Sequence, residues 1–317
     1  MKILITEPDA YSKEALNIYS SLGTVLNNKK LNRQELLDQI EDVDILVIRL
    51  GHKIDKEILV KAKTLRAIAC PTTGLDHIDI DFAKENNIKI ISLNGEIEFL
   101  NTITATAELA WGLMLALIRQ IPWAYNSVKV GNWDRDSFKG VELRGKTLGV
   151  IGCGRLGKMM SQYGNAFFMN VVAYDPHINR YEIEKSGAEP MLSLEELLKV
   201  SDFITLHIPL DDFNKKIISE KEFNIMKDTA YLVNTSRGAI IDELAMLDAL
   251  KTKKIAGVAI DVLNNEEVSG NFLKDNPLLE YSKINNNLLI TPHIGGATHD
   301  SMWKTEIFIA NKVKQNF

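Results

Sequence analysis

Short runs of Val, Ile and Leu recur along the whole chain and alternate with stretches whose apolar residues return every three or four positions. The runs have strand length and the stretches have helical spacing, so their alternation predicts a parallel sheet covered by helices and an α/β fold class. In the N-terminal third the strand candidates are Lys2 to Thr6, Asp44 to Arg49, Leu65 to Cys70 and Lys89 to Leu93. Val25 and Leu26 add a short one, and Arg33 to Ile40 reads as helix. A second series comprises Leu148 to Gly152, Val171 to Tyr174, Phe203 to His207, Tyr231 to Asn234, Ala256 to Ile260 and Leu288 to Ile290. Two series predict two doubly wound parallel-sheet domains.

Thr102 to Lys129 lies between the series, and its segment Leu109 to Ile118 is apolar on every face and too long for a strand. It reads as a buried helix, either enclosed by its own domain or shared with a second subunit. Asn264 to Asn287 is polar and interrupted by glycine, which predicts a surface excursion near a strand end. A final helix, Asp300 to Lys314, follows the Gly295-Gly296 break.

Composition narrows the class. The chain has 317 residues, 45% hydrophobic and 25% charged, which suits two domains with substantial cores. Its 37 basic side chains are outnumbered by 42 acidic ones, so no positive excess exists to neutralise a phosphate backbone and no nucleic-acid partner is expected. Leu109 to Ile118 is about half the length that spans a bilayer, and Ile3 to Ile5 is too short for a signal-peptide core, so no membrane partner is expected. Cys70 and Cys153 lie inside apolar runs and read as reduced, buried thiols of a cytoplasmic protein, with neither a disulfide nor a metal site.

The sharpest local signal is Leu148-Gly149-Val150-Ile151-Gly152-Cys153-Gly154-Arg155-Leu156-Gly157, a strand entering a G-x-G-x-x-G turn ahead of the helical stretch Lys158 to Phe167. Gly152 permits the tight turn, Gly154 removes a side chain where a pyrophosphate must approach the backbone, and Gly157 lets helix and strand pack closely. The helix N-terminus then offers free amides and a positive dipole end to phosphate. Asp175, 18 residues past Gly157 at the end of the next strand, is placed to accept hydrogen bonds from the adenine-ribose hydroxyls. A carboxylate there repels a 2'-phosphate, which predicts NAD over NADP.

Ligands of an open parallel sheet sit outside the carboxyl ends of its strands. Three ends carry polar residues: Tyr231 to Asn234 leads to Thr235-Ser236-Arg237-Gly238, Ala256 to Ile260 leads to Asp261 and Glu266, and Leu288 to Ile290 leads to Thr291-Pro292-His293. An arginine fork can hold a substrate carboxylate through two parallel charge-assisted bonds, which makes Arg237 the candidate. Histidine titrates near neutrality and can exchange a proton with a carbonyl or hydroxyl oxygen, which makes His293 the candidate acid/base. A carboxylate beside it would orient the ring. Glu266 could supply it, although Glu267 adjoins it and spacing alone does not choose between them. His52, His77, His177 and His299 read as surface or turn residues, and His207 as a wall or cap residue.

With these residues in place, the chain resembles the D-isomer-specific 2-hydroxyacid dehydrogenase family, nearest its phosphoglycerate dehydrogenase branch. The likeness is carried by Thr73-Gly74-Leu75-Asp76-His77-Ile78-Asp79, Ala107-Glu108, Gly145 to Gly149 with the glycine turn, Asn234 to Gly238, Ala259 to Val262 and Thr291 to Gly296. It implies a flavodoxin-like catalytic domain split between residues 1–100 and 294–317, with a Rossmann NAD-binding domain, 101–293, inserted in it. It further implies that Arg237 binds the carboxylate of a small 2-hydroxy or 2-oxo acid, that His293 is the acid/base, and that Glu266 is its partner. Backbone around Thr73 and Gly74 would contact substrate, and Arg49, ending a strand, could reach a substrate anion. Asp261 would meet the nicotinamide amide. The remaining cofactor contacts implied are Thr106, Arg155, Leu156 and His207, then Thr235, Ser236 and Gly295, with His293 beside the ring. A homodimer through Thr102 to Lys129 and closure of the domains around substrate complete the implied picture.

The chain departs from the family pattern at several points, among them the stretch after Glu266 to Asn287, which is longer and more polar than usual. Glu267 stands where a proline usually follows the catalytic glutamate, Gly51 stands where some phosphoglycerate dehydrogenases carry a second arginine, and regulatory domains of longer relatives are not expected. Two other functions of the same fold remain open at this point: an NAD(H)-sensing corepressor or scaffold, and a phosphite-type dehydrogenase. Glu266 argues against a formate-type enzyme, which places glutamine opposite the histidine.

Overall fold

A computed structural model describes residues 1–26, 28–266 and 271–317. Glu267 lies outside the described residues. By backbone contacts the chain forms two compact units, Met1–Ile103 with Ala297–Phe317, and Thr104–Gly296. Both are α/β with wholly parallel sheets.

In the first unit the strands are β1 (Lys2–Ile5), β2 (Thr24–Leu26), β3 (Ile45–Val47), β4 (Ala67–Cys70) and β5 (Lys89–Ser92). Their order is β2-β1-β3-β4-β5, the flavodoxin-like arrangement. Ile3, Leu4, Ile45, Leu46, Ala67 and Ile68 are all buried, as continuous apolar runs must be when helices cover both faces of a sheet. The last helix, His299–Asn316, buries Ile309, Ala310 and Val313 in one cluster with Ile3, Ile5 and Tyr19, so the two ends of the chain share a core. His52, expected at the surface or in a turn, is 8% exposed, and its neighbour Ile54 is fully buried and bridges in parallel to Ile78.

The second unit has β6 (Thr147–Ile151), β7 (Asn170–Tyr174), β8 (Glu189–Pro190), β9 (Phe203–Leu206), β10 (Tyr231–Asn234), β11 (Gly257–Ile260) and β12 (Leu288–Ile290). The order β12-β11-β10-β9-β6-β7-β8 reverses direction at β6, which makes the crevice above β6 and β9 the place for a dinucleotide. The two-residue β8 went unforeseen; it is an edge strand, where its proline costs no central ladder bond.

Ala105–Ile118 forms the apolar helix, and its Ala107, Ala110, Leu113, Met114 and Leu117 share a core with Val150, Phe203, Val233 and Ala259. That segment is therefore enclosed by its own unit. Gln120, at φ 52°, breaks the helix, and Ile121–Lys129 starts anew with Pro122 in its first turn. This second helix turns Ile121, Tyr125 and Val128 outward, and Val130 and Trp133 follow, the last 90% exposed. Within the stretch Asn264 to Asn287, Pro277–Ile284 forms a helix that the composition does not announce. Asn276 caps that helix by accepting from Leu278 N–H at 2.9 Å, and Leu278 anchors it in the core. Eight residues are too few for a helical period to show through the surrounding polar residues.

Candidate active site

The glycine turn follows β6, and each glycine answers a different demand. Gly152 has φ 88°, and a Cβ there would stand 2.5 Å from the His207 carbonyl oxygen. A Cβ on Gly157 would stand 2.0 Å from the Gly152 carbonyl oxygen, so the fold itself requires both. A Cβ on Gly154 would meet nothing within 4 Å. The space beside Gly154 is open, and Gly154 caps the helix Arg155–Ala166 without a side chain over its first amides, as a pyrophosphate site needs. Leu156 and Gly157 lie in that helix's first turn.

At the end of β7, Asp175 Oδ2 accepts from Cys153 N–H at 2.8 Å and Oδ1 accepts from His177 N–H at 2.9 Å, so the carboxylate is fixed to the turn. His207 follows β9, with its Nε2 2.8 Å from Thr205 Oγ1. Its Nδ1 is buried without a partner, and burial, with the Arg155 charge adding to it, pushes the ring's pKa down to about 3. Thr235 Oγ1 is likewise buried and unpartnered. Buried polar atoms are rarely left so, and these two unmet atoms, at the carboxyl ends of β9 and β10, fit a bound dinucleotide. Ser236 Oγ instead donates to Leu206 O at 2.7 Å, which ties the β10 end to β9.

The strand ends of β10, β11 and β12 are neighbours in one parallel sheet, so their polar extensions share an edge. Asn234 shapes the first: its amide nitrogen donates to Arg237 O at 2.9 Å and its Oδ1 accepts from Ser236 N–H at 2.9 Å. It was not singled out from sequence, though an Asn closing a strand ahead of a polar turn is a recognisable turn former. Arg237 Nη1 donates to Ser236 O at 2.8 Å. Gly238 lies directly on the extension of β11, since a Cβ there would stand 2.1 Å from the Leu263 carbonyl carbon.

That extension ends in Glu266, whose Oε2 is 2.5 Å from His293 Nδ1. Its Oε1 accepts from Leu263 N–H at 2.6 Å. The pair is 27% and 29% exposed, so it is accessible to a small molecule. His293 has φ 53°, a left-handed conformation that a non-glycine residue adopts only when its surroundings enforce it.

Asp261 enforces it. Its main-chain oxygen accepts from His293 N–H at 2.8 Å, Oδ1 accepts from Thr291 Oγ1–H at 2.6 Å and Ile294 N–H at 2.9 Å, and Oδ2 accepts from Gly295 N–H at 2.7 Å. Burial nonetheless raises its pKa above the usual carboxylate value against the pull of these bonds. Oδ2 keeps one acceptor site for an amide donor. Thr106 adjoins the same place, because a Cβ on Gly295 would lie 3.2 Å from both Thr106 Cγ2 and Asp261 Oδ2. Thr291, which the sequence places at this strand end without a role, supplies the hydroxyl that closes this network.

In the first unit, Arg49 and Thr73-Gly74 follow the carboxyl ends of β3 and β4. The Arg49 guanidinium pairs with Glu306, a residue with no exposed surface, and lies over the Tyr11 ring at 4.9 Å, while its Nε is buried without a partner. Thr72 Oγ1 donates to Gly74 O at 2.8 Å and shapes the Thr73-Gly74 turn.

The second unit thus has the strand order and glycine turn of a dinucleotide-binding Rossmann domain, and its sheet edge carries a carboxylate-held histidine. Residues 111–295 match the family model described as D-isomer specific 2-hydroxyacid dehydrogenase, NAD binding domain, and the chain belongs to that family. It is 39% identical over 315 residues, 99% of its length, to a D-3-phosphoglycerate dehydrogenase of Methanocaldococcus jannaschii, of which it spans 57%. It is 35% identical over 306 residues to a hydroxypyruvate reductase of Thermotoga maritima, covering 96% of this chain and 95% of that protein. The chain spans little more than half the length of the D-3-phosphoglycerate dehydrogenases it matches first, 57% and 56%. Among solved structures, the D-lactate dehydrogenase of Aquifex aeolicus complexed with NAD and lactic acid superposes with a TM-score of 0.84 at 27% identity, over all of this chain and 95% of that one.

Proposed function

We propose that the protein is an NAD-dependent oxidoreductase that interconverts a small D-2-hydroxy acid and its 2-oxo acid. The observation that carries this reading is the 2.5 Å contact of Glu266 with His293 on the same sheet edge as Arg237. With Glu266 facing Nδ1, that nitrogen carries a proton and Nε2 is the atom left to exchange one. Arg237 orients the substrate carboxylate through its planar fork. In the reducing direction the imidazolium gives its Nε2 proton to the carbonyl oxygen; in the oxidising direction the neutral ring takes the hydroxyl proton. Bound nicotinamide supplies or accepts the hydride.

The choice of NAD over NADP rests on Asp175, fixed beside the turn where a 2'-phosphate would be repelled, and on Arg180, which is paired with Glu184 at 3.0 Å. The names of the relatives put three-carbon acids such as hydroxypyruvate, with and without a phosphate, first among candidates. A cytoplasmic homodimer is part of the same proposal: Ile121, Tyr125, Val128, Val130 and Trp133 form an exposed apolar stripe suited to a second copy.

The test is NADH oxidation by purified protein against a panel of 2-oxo acids. Turnover should appear with at least one short acid and fall by about 100-fold or more in His293→Ala and Arg237→Ala. Absence of turnover across the panel, or variants as active as the parent, defeats the proposal.

A further inference from the structure

Glu243 opens the helix Glu243–Lys251 and has no part in the chemistry described so far. Its Oε1 accepts from Asn264 N–H at 2.6 Å. One residue earlier the Leu263 N–H is held by Glu266 Oε1, also at 2.6 Å, and the backbone of Leu263 and Asn264 lies against Gly238 with no room for a Cβ. The short strap that carries Glu266 is therefore clamped from outside by two groups, and Glu243 is the only side chain of the two. Around this clamp, Asp242 is paired with Lys216 at 2.9 Å, and the ring of His293 faces Glu266 with Asp261 behind its backbone. Burial raises the Glu243 carboxyl above its ordinary value despite the Asn264 bond, and the charges of Glu266 and Asp242 push it the same way.

We propose that Glu243 is a positioning residue for the acid/base pair: it fixes residues 263–266 so that Glu266 reaches His293 Nδ1, and it adds a second negative charge to the field around that pair. Its kinetic consequence rests on the reaction proposed above; its effect on the ring does not. Two variants separate the tether from the charge. Glu243→Gln keeps an oxygen acceptor for Asn264 and loses the charge, while Glu243→Ala loses both.

The experiment is an NMR titration of the histidine rings in the full-length protein without substrate, with the His293 signal identified by its disappearance in His293→Asn. Thermal melting checks folding, and the pH profile of NADH oxidation is recorded beside it. The His293 midpoint should move down by about half a pH unit in Glu243→Gln and further in Glu243→Ala, where Glu266 is released. The falling limb of the rate profile should follow in the same order. Midpoints unchanged in both variants overturn the proposal; if Glu243→Ala does not fold, an unchanged midpoint in Glu243→Gln does so alone. Should no 2-oxo acid be turned over, the ring titration still decides the matter for Glu243.

Discussion

Replacing His207 with Gln should remove a large part of the protein's sensitivity to acid. Burial, reinforced by Arg155, lowers the ring's pKa from 6.5 to about 3, so the folded chain keeps it neutral where the unfolded chain is protonated. Above pH 6.5 both states hold a neutral ring and His207 contributes full stability; as pH falls from 6.5 toward 3, the unfolded state alone gains the proton and stability is lost. Linkage with those two values gives a loss of about 2 kcal/mol at pH 5 and about 3 kcal/mol at pH 4. Part of the residue reaches solvent, so these figures are upper bounds. His52 is pushed in the same direction by burial, but it stays in the variant and its effect cancels in the comparison. Urea unfolding of both proteins without cofactor at pH 7.5 and pH 5 reads the difference. The parent should lose up to ~2 kcal/mol more than His207→Gln over that interval. Parallel losses would show that the ring takes up its proton in the folded state, and the account of a His207 held neutral by the fold would be wrong.

Three further outcomes follow from the geometry. Gly157→Ala drives a methyl to 2.0 Å from the Gly152 carbonyl oxygen, so the turn must open, and NADH affinity by fluorescence titration should fall at least about tenfold. Asp261→Asn turns an amide NH2 toward groups that now donate to the carboxylate; it should destabilise the fold by about 1–3 kcal/mol in thermal melts and lower kcat as the His293 turn loosens. Tyr125→Glu combined with Trp133→Ser should convert a dimer into a monomer by light scattering, whereas a monomeric parent at micromolar concentration removes the case for the exposed stripe.

Much of the architecture was legible because its causes are local. Every proposed strand appears, and Tyr231–Asn234 has the bounds read from its apolar run. A run of β-branched and aliphatic residues covered on both faces has few other conformations open to it. The glycine turn could be read for the same reason: backbone crowding at Gly152 and Gly157 is a property of a strand entering a helix, whatever surrounds it. Short elements were the weak point. The helix Pro277–Ile284 was missed because its apolar face is only two turns long, whereas the break at Gln120 falls where Arg119 and Gln120 close the apolar run and Pro122 opens the next helix.

Local residue patterns suffice for the α/β class, the two parallel sheets, the dinucleotide turn and the types of side chain at the strand ends. Packing alone sets which polar groups meet: that Glu266 contacts His293 across 27 positions, that Arg49 pairs with Glu306 across 257, and that Glu243 reaches Asn264. It also decides which groups lose water, as His207 and Asp261 do. Backbone preference is set by a residue and its near neighbours, whereas hydrogen bonding and desolvation depend on atoms that only the packed sheet brings into reach.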